Sequence, residues 1–333
     1  MNSIKKRNLI GQLLLLYSVI AWGSSFTILK DAMDTLPGFF IIGVRFTIAG
    51  LVFGLIFIKK IIKMDKKTLV NGLILGLLVA LAYFTQTWGL KYTTPSKNAF
   101  LTATYCVLCP FIAWLVFKKK PKIYNVISAI LCIVGTGLIL LSGNKEQGGS
   151  LQLLGDGLTI VCAVFFSLQI LFIDRFNERK SEPIALLTVH FFVIGFFMLI
   201  MSAIFELPQV GIEGYKMNGE QLWKVAYLTF ACSIGAQTSQ YFGQRLMGPT
   251  GQAAIIQSLE SVFGVIFAVI LGAEKLTVTL IIGFVIVFIA MLISELHLDP
   301  MKLFKRKSKQ VFGEAEVPAS VNAPADDTPK VND

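Results

Sequence analysis

Ten runs of predominantly apolar residues divide the chain, each close to the roughly 20 residues that an α-helix needs to cross about 30 Å of hydrocarbon. They cover about 9 to 29, 38 to 58, 69 to 90, 98 to 117, 123 to 141, 152 to 173, 183 to 205, 220 to 242, 252 to 272 and 277 to 295. Ten such helices absorb roughly 200 residues, which leaves no stretch able to fold as a soluble catalytic domain. Function must therefore lie in or between the helices. Lys5, Lys6 and Arg7 precede the first run as they would a secretion signal. That run is longer than a signal core, and no small-x-small cleavage site follows Trp22 and Phe26, so it is expected to stay as helix 1.

Composition sharpens this pattern. Of 333 residues, 55% are hydrophobic and 15% charged, with a mean hydropathy of +0.70. A soluble domain carries about 25% charged residues, so this chain has too few to coat a globule. The fold class predicted is all-α, a polytopic membrane protein. With the N-terminus placed inside, and Lys330 far down the tail set aside, the inner segments hold 21 Lys and Arg and the outer loops 7. By the positive-inside rule this predicts a multi-pass protein of the cytoplasmic membrane with both termini cytoplasmic. The net charge of +10 needs no nucleic-acid partner. Its clusters, such as Lys59, Lys60, Lys63, Lys66 and Lys67, or Lys118, Lys119, Lys120 and Lys122, abut inner helix ends, where anionic headgroups attract them. Residues 1–8 form a short cytoplasmic N-terminus, and 296–333, poor in large apolar side chains, a disordered cytoplasmic tail.

An internal likeness divides the interior. The passage from Leu90 through Pro95 and Ala99 resembles that from Leu246 through Pro249 and Ala254. Tyr105 and Glu260, Thr102 and Gln257, and Lys119 and Glu274 are each 155 residues apart. A repeat of that period holds five helices, and an odd number forces the second copy to cross the membrane inverted. The expected architecture is two inverted five-helix repeats, 9–143 and 150–295. In transporters so built, substrate binds near the midplane between the repeats.

Several local sequences resemble the drug/metabolite transporter superfamily, specifically EamA-type ten-helix permeases. Helix 1 carries Ala21-Trp22-Gly23-Ser24-Ser25-Phe26, and helix 2 carries Arg45 eight residues after Pro37. Helix 9 carries Ser258-Leu259-Glu260-Ser261-Val262-Phe263, followed by Gly272-Ala273-Glu274-Lys275-Leu276-Thr277. Position 261, commonly Pro in that group, is Ser here. The resemblance implies gradient-driven export or exchange of small metabolites, often amino acids or related compounds. The absence of any Gly-x-x-x-x-Gly-Lys-Ser/Thr phosphate loop agrees with a gradient rather than ATP.

Polar residues at helical spacing mark candidate transport residues. Asn98, Thr102, Tyr105 and Cys109 share one face of helix 4; Ser233, Gln237, Gln240 and Gln244 share one of helix 8; Gln257 and Glu260 do so on helix 9, and Tyr83 with Gln86 or Thr87 on helix 3. Such rows line a pore or bond helix to helix. At 1.5 Å per residue, Tyr105 lies about 12 Å from the outer boundary and Glu260 about as far from the inner one. Arg45, His190 and Glu260 are ionisable groups within spans, each costing roughly 2.5–3.5 kcal/mol when charged at a helix centre, so each should face a cavity or a partner. Glu260 and His190 are candidates for proton coupling, against a permanent pairing for Glu260 and a structural hydrogen bond for His190. Arg45 either binds a substrate carboxylate or pins helix 2 to its neighbours. Trp22 is assigned to the cavity and Trp88 to interfacial anchoring.

Gly50 with Gly54, and Gly72 with Gly76, are expected to bring helices 2 and 3 together, and Pro110 to bend helix 4. The five cysteines fall within spans as small apolar fillers, and no metal site or cofactor is indicated. The reading is a secondary transporter of a small-molecule substrate in a lipid bilayer, acting by alternating access, with a homodimer left open and no enzymatic activity. The alternative, a membrane-embedded enzyme acting on a lipid-linked substrate, would need clustered carboxylates or a His-Glu-x-x-His motif, and the sequence has neither.

Overall fold

The computed structural model describes residues 2–141, 149–178, 182–247, 251–273 and 275–295. Among these, every regular element is helical. The long helical segments are α1 (Asn2–Ala32), α2 (Gly38–Ile56), α3 (Lys66–Tyr92), α4 (Pro95–Phe117), α5 (Ile123–Leu141), α6 (Gly149–Glu178) and α7 (Pro183–Phe205), then α8, α9 (Gly251–Ile270) and α10 (Val278–Glu295). α8 runs in three consecutive pieces, helical over Gly219–Tyr227, π-helical over Leu228–Gly235 and helical again over Ala236–Met247. Seven segments, α1 to α7, are long and apolar enough to cross a membrane; the apolar parts of α9 and α10, Ile256–Ile270 and Val278–Ser294, are shorter. Pro249, Glu274 and the tail from 296 lie outside the described residues.

Local chemistry sets the helix starts. Asp65, Thr94 and Glu182 each accept a hydrogen bond from a first-turn backbone N–H of α3, α4 and α7, with Pro95 and Pro183 supplying the fixed φ of the first turn. The bond from Thr68 also holds the Asp65 carboxyl below the ordinary carboxylate range. Asn218 and Gln221 close a reciprocal capping box on α8. Glu206, just past α7, caps a different helix: its carboxylate accepts from the N–H groups of Phe39 (2.8 Å) and Phe40 (3.1 Å) of α2 and from the Ser202 hydroxyl (2.7 Å).

The bundle buries many polar side chains among its apolar core residues and leaves large apolar ones exposed. Ser18, Thr27, Asn98, Ser128, Thr159, Ser167, Ser233 and Ser258 are buried, while Leu55, Ile133, Leu141 and Ile270 are more than 70% exposed. Only hydrocarbon tolerates that distribution.

α2 packs along α7, α3 along both α6 and α7, α5 along α10, α1 along α8 and α9, and α4 against α6 and α9. Glycine pairs let three of these crossings close. A Cβ added at Gly89 would lie 2.6 Å from the Gly155 carbonyl, one at Gly11 3.2 Å from that of Gly243, and one at Gly135 3.0 Å from that of Gly283. Backbones meet there because no side chain intervenes.

One expectation changes. Gly50 and Gly54 do not meet Gly72 and Gly76: the first pair faces Phe192 and the second faces Val189 and Val193, all on α7. α7 is wedged between α2 and α3, so the glycines serve contacts with it. α4 also breaks at Thr104, six residues before Pro110, which sits inside the continuous piece Tyr105–Phe117. There the Thr104 hydroxyl bonds the Leu101 carbonyl at 2.6 Å and the Thr104 N–H turns back to the same carbonyl, an i−3 pattern that breaks the α ladder.

Candidate functional site

Side chains from six helices converge near the middle of the bundle on one cavity. α1 supplies Trp22, Ser25 and Phe26; α3 supplies Tyr83 and Gln86; α4 supplies Thr102 and Tyr105. Phe166, Gln169 and Ile170 come from α6, Gln237 and Gln240 from α8, and Glu260 from α9. Its volume of about 30 Å³ holds roughly two waters, since one water needs about 10–15 Å³ by this measure. The helices are therefore closed around the site, which has no room for a metabolite.

The wall is an amide and aromatic lining around one acid. Among the described residues Glu260 is its sole carboxylate, buried, with the Tyr105 hydroxyl within hydrogen-bonding reach. Gln86 donates to Thr102 Oγ1 at 3.0 Å, joining α3 to α4. Tyr83 has Gln237 within reach and lies in the field of both Glu260 and Arg45. Behind Tyr83, the Arg45 guanidinium carbon stands 5.1 Å from the Tyr83 ring centre and 5.0 Å from that of Phe46. Arg45 is 1% exposed, its Nε and Nη1 lack hydrogen-bond partners, and among the described residues it forms no ion pair. The aromatic faces are what it has in place of a carboxylate.

Of the residues singled out by sequence, Trp22, Tyr83, Gln86, Thr102, Tyr105, Gln237, Gln240 and Glu260 share this wall. Four stand off it. Arg45 is one layer behind. Asn98 ties helices together, donating to Thr159 Oγ1 at 2.8 Å and to the Gln86 carbonyl at 3.3 Å. Gln257 is buried one turn before Glu260 with its Nε2 unpartnered. His190 lies in α7 beside Phe191, its ring against the Leu75 backbone without a hydrogen bond of good geometry. Trp88 joins Phe39, Phe84 and Phe205 in an aromatic cluster at the end of α3.

Sequence reasoning passed over the α6 contribution. Thr159, Cys162, Phe166 and Gln169 follow one another at spacings of three and four, the same signal that marked α4. It also placed Lys97 in a loop. The structure begins α4 at Pro95 and buries Lys97 against Asp156 of α6, Nζ to Oδ2 3.6 Å, with the Thr93 hydroxyl bonded to the other carboxylate oxygen. An Asp inside a predicted span was the available clue to a buried cation nearby. Among the described residues no three His, Cys, Asp or Glu side chains gather as a metal site, and none of the five cysteines forms a disulfide.

The chain is similar to transporters over most of its length. The model of the EamA-like transporter family matches residues 9–141 and again 153–295. A protein of Archaeoglobus fulgidus named "Uncharacterized transporter" is 33% identical over 278 residues, covering 84% of this chain and 83% of the relative. "Uncharacterized transporter YetK" of Bacillus subtilis is 26% identical over 274 residues, 78% of this chain and 79% of its own. A solved crystal structure at 17% identity superimposes with a TM-score of 0.62 over 88% of this chain and 98% of its own, a likeness of fold. Helices, cavity and relatives agree: the chain belongs to the EamA-like transporter family, an integral membrane transporter of a small molecule rather than an enzyme.

Proposed function

We propose that the protein is a secondary active transporter of the cell membrane that exports or exchanges small zwitterionic metabolites, such as amino acids, by alternating access. Its working parts are two inverted five-helix halves, 9–143 and 150–295, with both chain ends in the cytoplasm. The helix pairings support the inversion, because exchanging each helix with the one five places on turns the pairing of α3 with α6 into that of α8 with α1, and returns α2 with α7 and α5 with α10 to themselves. Transporters of this plan rock one half against the other around a central site.

The observation that carries the reading is the cavity in which Glu260 is, among the described residues, the only carboxylate, with Arg45 behind Tyr83. A buried carboxyl next to a phenol binds either a proton or a substrate ammonium group, and it cannot hold both at once. Proton and substrate therefore exchange at Glu260. Arg45 supplies the complementary charge for a substrate carboxylate once Tyr83 swings aside. The amides of Gln86, Gln169, Gln237 and Gln240 satisfy the remaining polar groups, and Trp22, Phe26 and Phe166 pack the apolar part.

The experiment is counterflow of labelled amino acids in proteoliposomes, with and without a proton gradient. Glu260→Gln is expected to abolish uptake driven by the gradient while the closed bundle stays folded. Gradient-driven flux equal to wild type in that variant refutes the coupling role.

A further inference from the structure

α8 alone among the described helices carries a π-helical segment, and it does so immediately before the side chains it gives to the cavity. Over Leu228–Gly235 the ladder closes i→i+5 rings, with the Ala236 N–H reaching the Ala231 carbonyl. A π segment stores one extra residue and is less well bonded than an α-helix, so it needs outside support. α1 provides that support. The Trp22 indole N–H donates to the Cys232 carbonyl at 3.0 Å, the Ser18 hydroxyl to the Ala236 carbonyl at 3.0 Å, and the Tyr17 hydroxyl to the Ala231 carbonyl at 3.2 Å. α1 is a firm platform for these donors, since Gly11 and Gly23 seat it against the backbones of Gly243 and Gly264.

We propose that Trp22 and Ser18, with Tyr17 at the lipid edge, are positioning residues that hold the π turn of α8 open and so fix which of its side chains face the transport cavity. With the turn held, Gln237 and Gln240 line the wall. Were the segment to relax to α geometry, everything after it would rotate by about one residue, roughly 100°, and Ala236 and Ser239 would take their places. Trp22 is both a donor to the turn and part of the cavity wall. A molecule leaning on its ring therefore acts on the register of α8, which links occupancy to the conformation of the cytoplasmic half of that helix. This meaning rests on the cavity being the transport site, but its test does not.

The test reads register by thiol chemistry in the full-length protein in proteoliposomes, with N-ethylmaleimide as probe. Cysteines are placed singly at 237, 239 and 240, and labelling is counted above that of the parent. A thiol facing a wet cavity ionises and reacts, whereas one facing lipid does not. With α1 intact, Gln237→Cys and Gln240→Cys are expected to label faster than Ser239→Cys. In the Ser18→Ala/Trp22→Phe background the order should invert. An unchanged order in that folded double variant overturns the proposal. Should it not fold, Tyr17→Phe/Ser18→Ala, which keeps the indole, is expected to raise the Ser239-to-Gln240 labelling ratio, and an unchanged ratio there overturns the proposal equally. Transport is not measured, so a failed flux assay and a failed register assay remain distinct results.

Discussion

Replacing Lys97 by Met removes its charge while keeping the length of its side chain, and leaves Asp156 as a carboxylate 1% exposed inside the bundle. The pair stands 3.6 Å apart. At that separation an effective dielectric of about 20 gives an attraction of roughly 4–5 kcal/mol, in line with the roughly 3–5 kcal/mol lost when one partner of a buried pair is removed. The Thr93 hydroxyl still donates to Asp156, which places the expected loss for Lys97→Met near the lower end, about 3 kcal/mol. Asp156→Asn should cost about the same, because Lys97 Nζ has no hydrogen-bond partner to fall back on. The double variant carries no buried charge, and its Asn can still accept from Thr93, so its loss should fall to about 1 kcal/mol or less. The assay is a double-mutant cycle on the purified protein unfolded by sodium dodecyl sulfate in mixed micelles. It should return a coupling of several kcal/mol, far above the roughly 0.6 kcal/mol average of interhelical hydrogen bonds. A coupling below about 1 kcal/mol, the value of a solvated surface pair, would show that water reaches these charges and would refute the reasoning.

Further outcomes follow from the packing. Gly195→Ala places a Cβ 2.7 Å from the Thr47 backbone nitrogen and must push α7 from α2, costing about 1–3 kcal/mol in the same unfolding assay. Gly137→Ala, with nothing within 4 Å of the added carbon, should be neutral or gain up to about 1 kcal/mol from helix propensity. Glu206→Ala strips two N–H partners from the start of α2 and should cost about 1–2 kcal/mol, with faster amide exchange confined to Phe39 and Phe40. Equal exchange in wild type and variant would contradict the cap.

Much of the site was legible because a row of polar groups cannot face hydrocarbon. The spacing of Thr102 and Tyr105, of Gln237 and Gln240, and the solitary acid at Glu260 each identify an inward stripe. Asn98 obeys the same spacing and still misses the cavity, because α3 and α6 approach closely enough at Gly89 and Gly155 for its amide to be spent on Thr159 and Gln86. Arg45 and His190 show the limit from the other side. Both were recognised as buried ionisable groups, yet Tyr83 stands between Arg45 and the cavity, and His190 packs against Leu75 and Phe191. A helical period fixes the angle of a side chain about its own axis and says nothing of what stands opposite.

By itself the sequence determined the helical class, the long apolar segments and the polar stripes, because hydrocarbon thickness sets segment length and hydrocarbon rejects unpaired polar groups whatever the neighbours are. Tertiary structure alone decided that α7 lies between α2 and α3, that Lys97 meets Asp156, that α4 breaks at Thr104, and that α8 takes an extra residue against the donors of α1. Those outcomes depend on which backbones approach at glycine crossings and on which distant side chain reaches a freed carbonyl. They are contacts between residues far apart in the chain, and no local pattern records them.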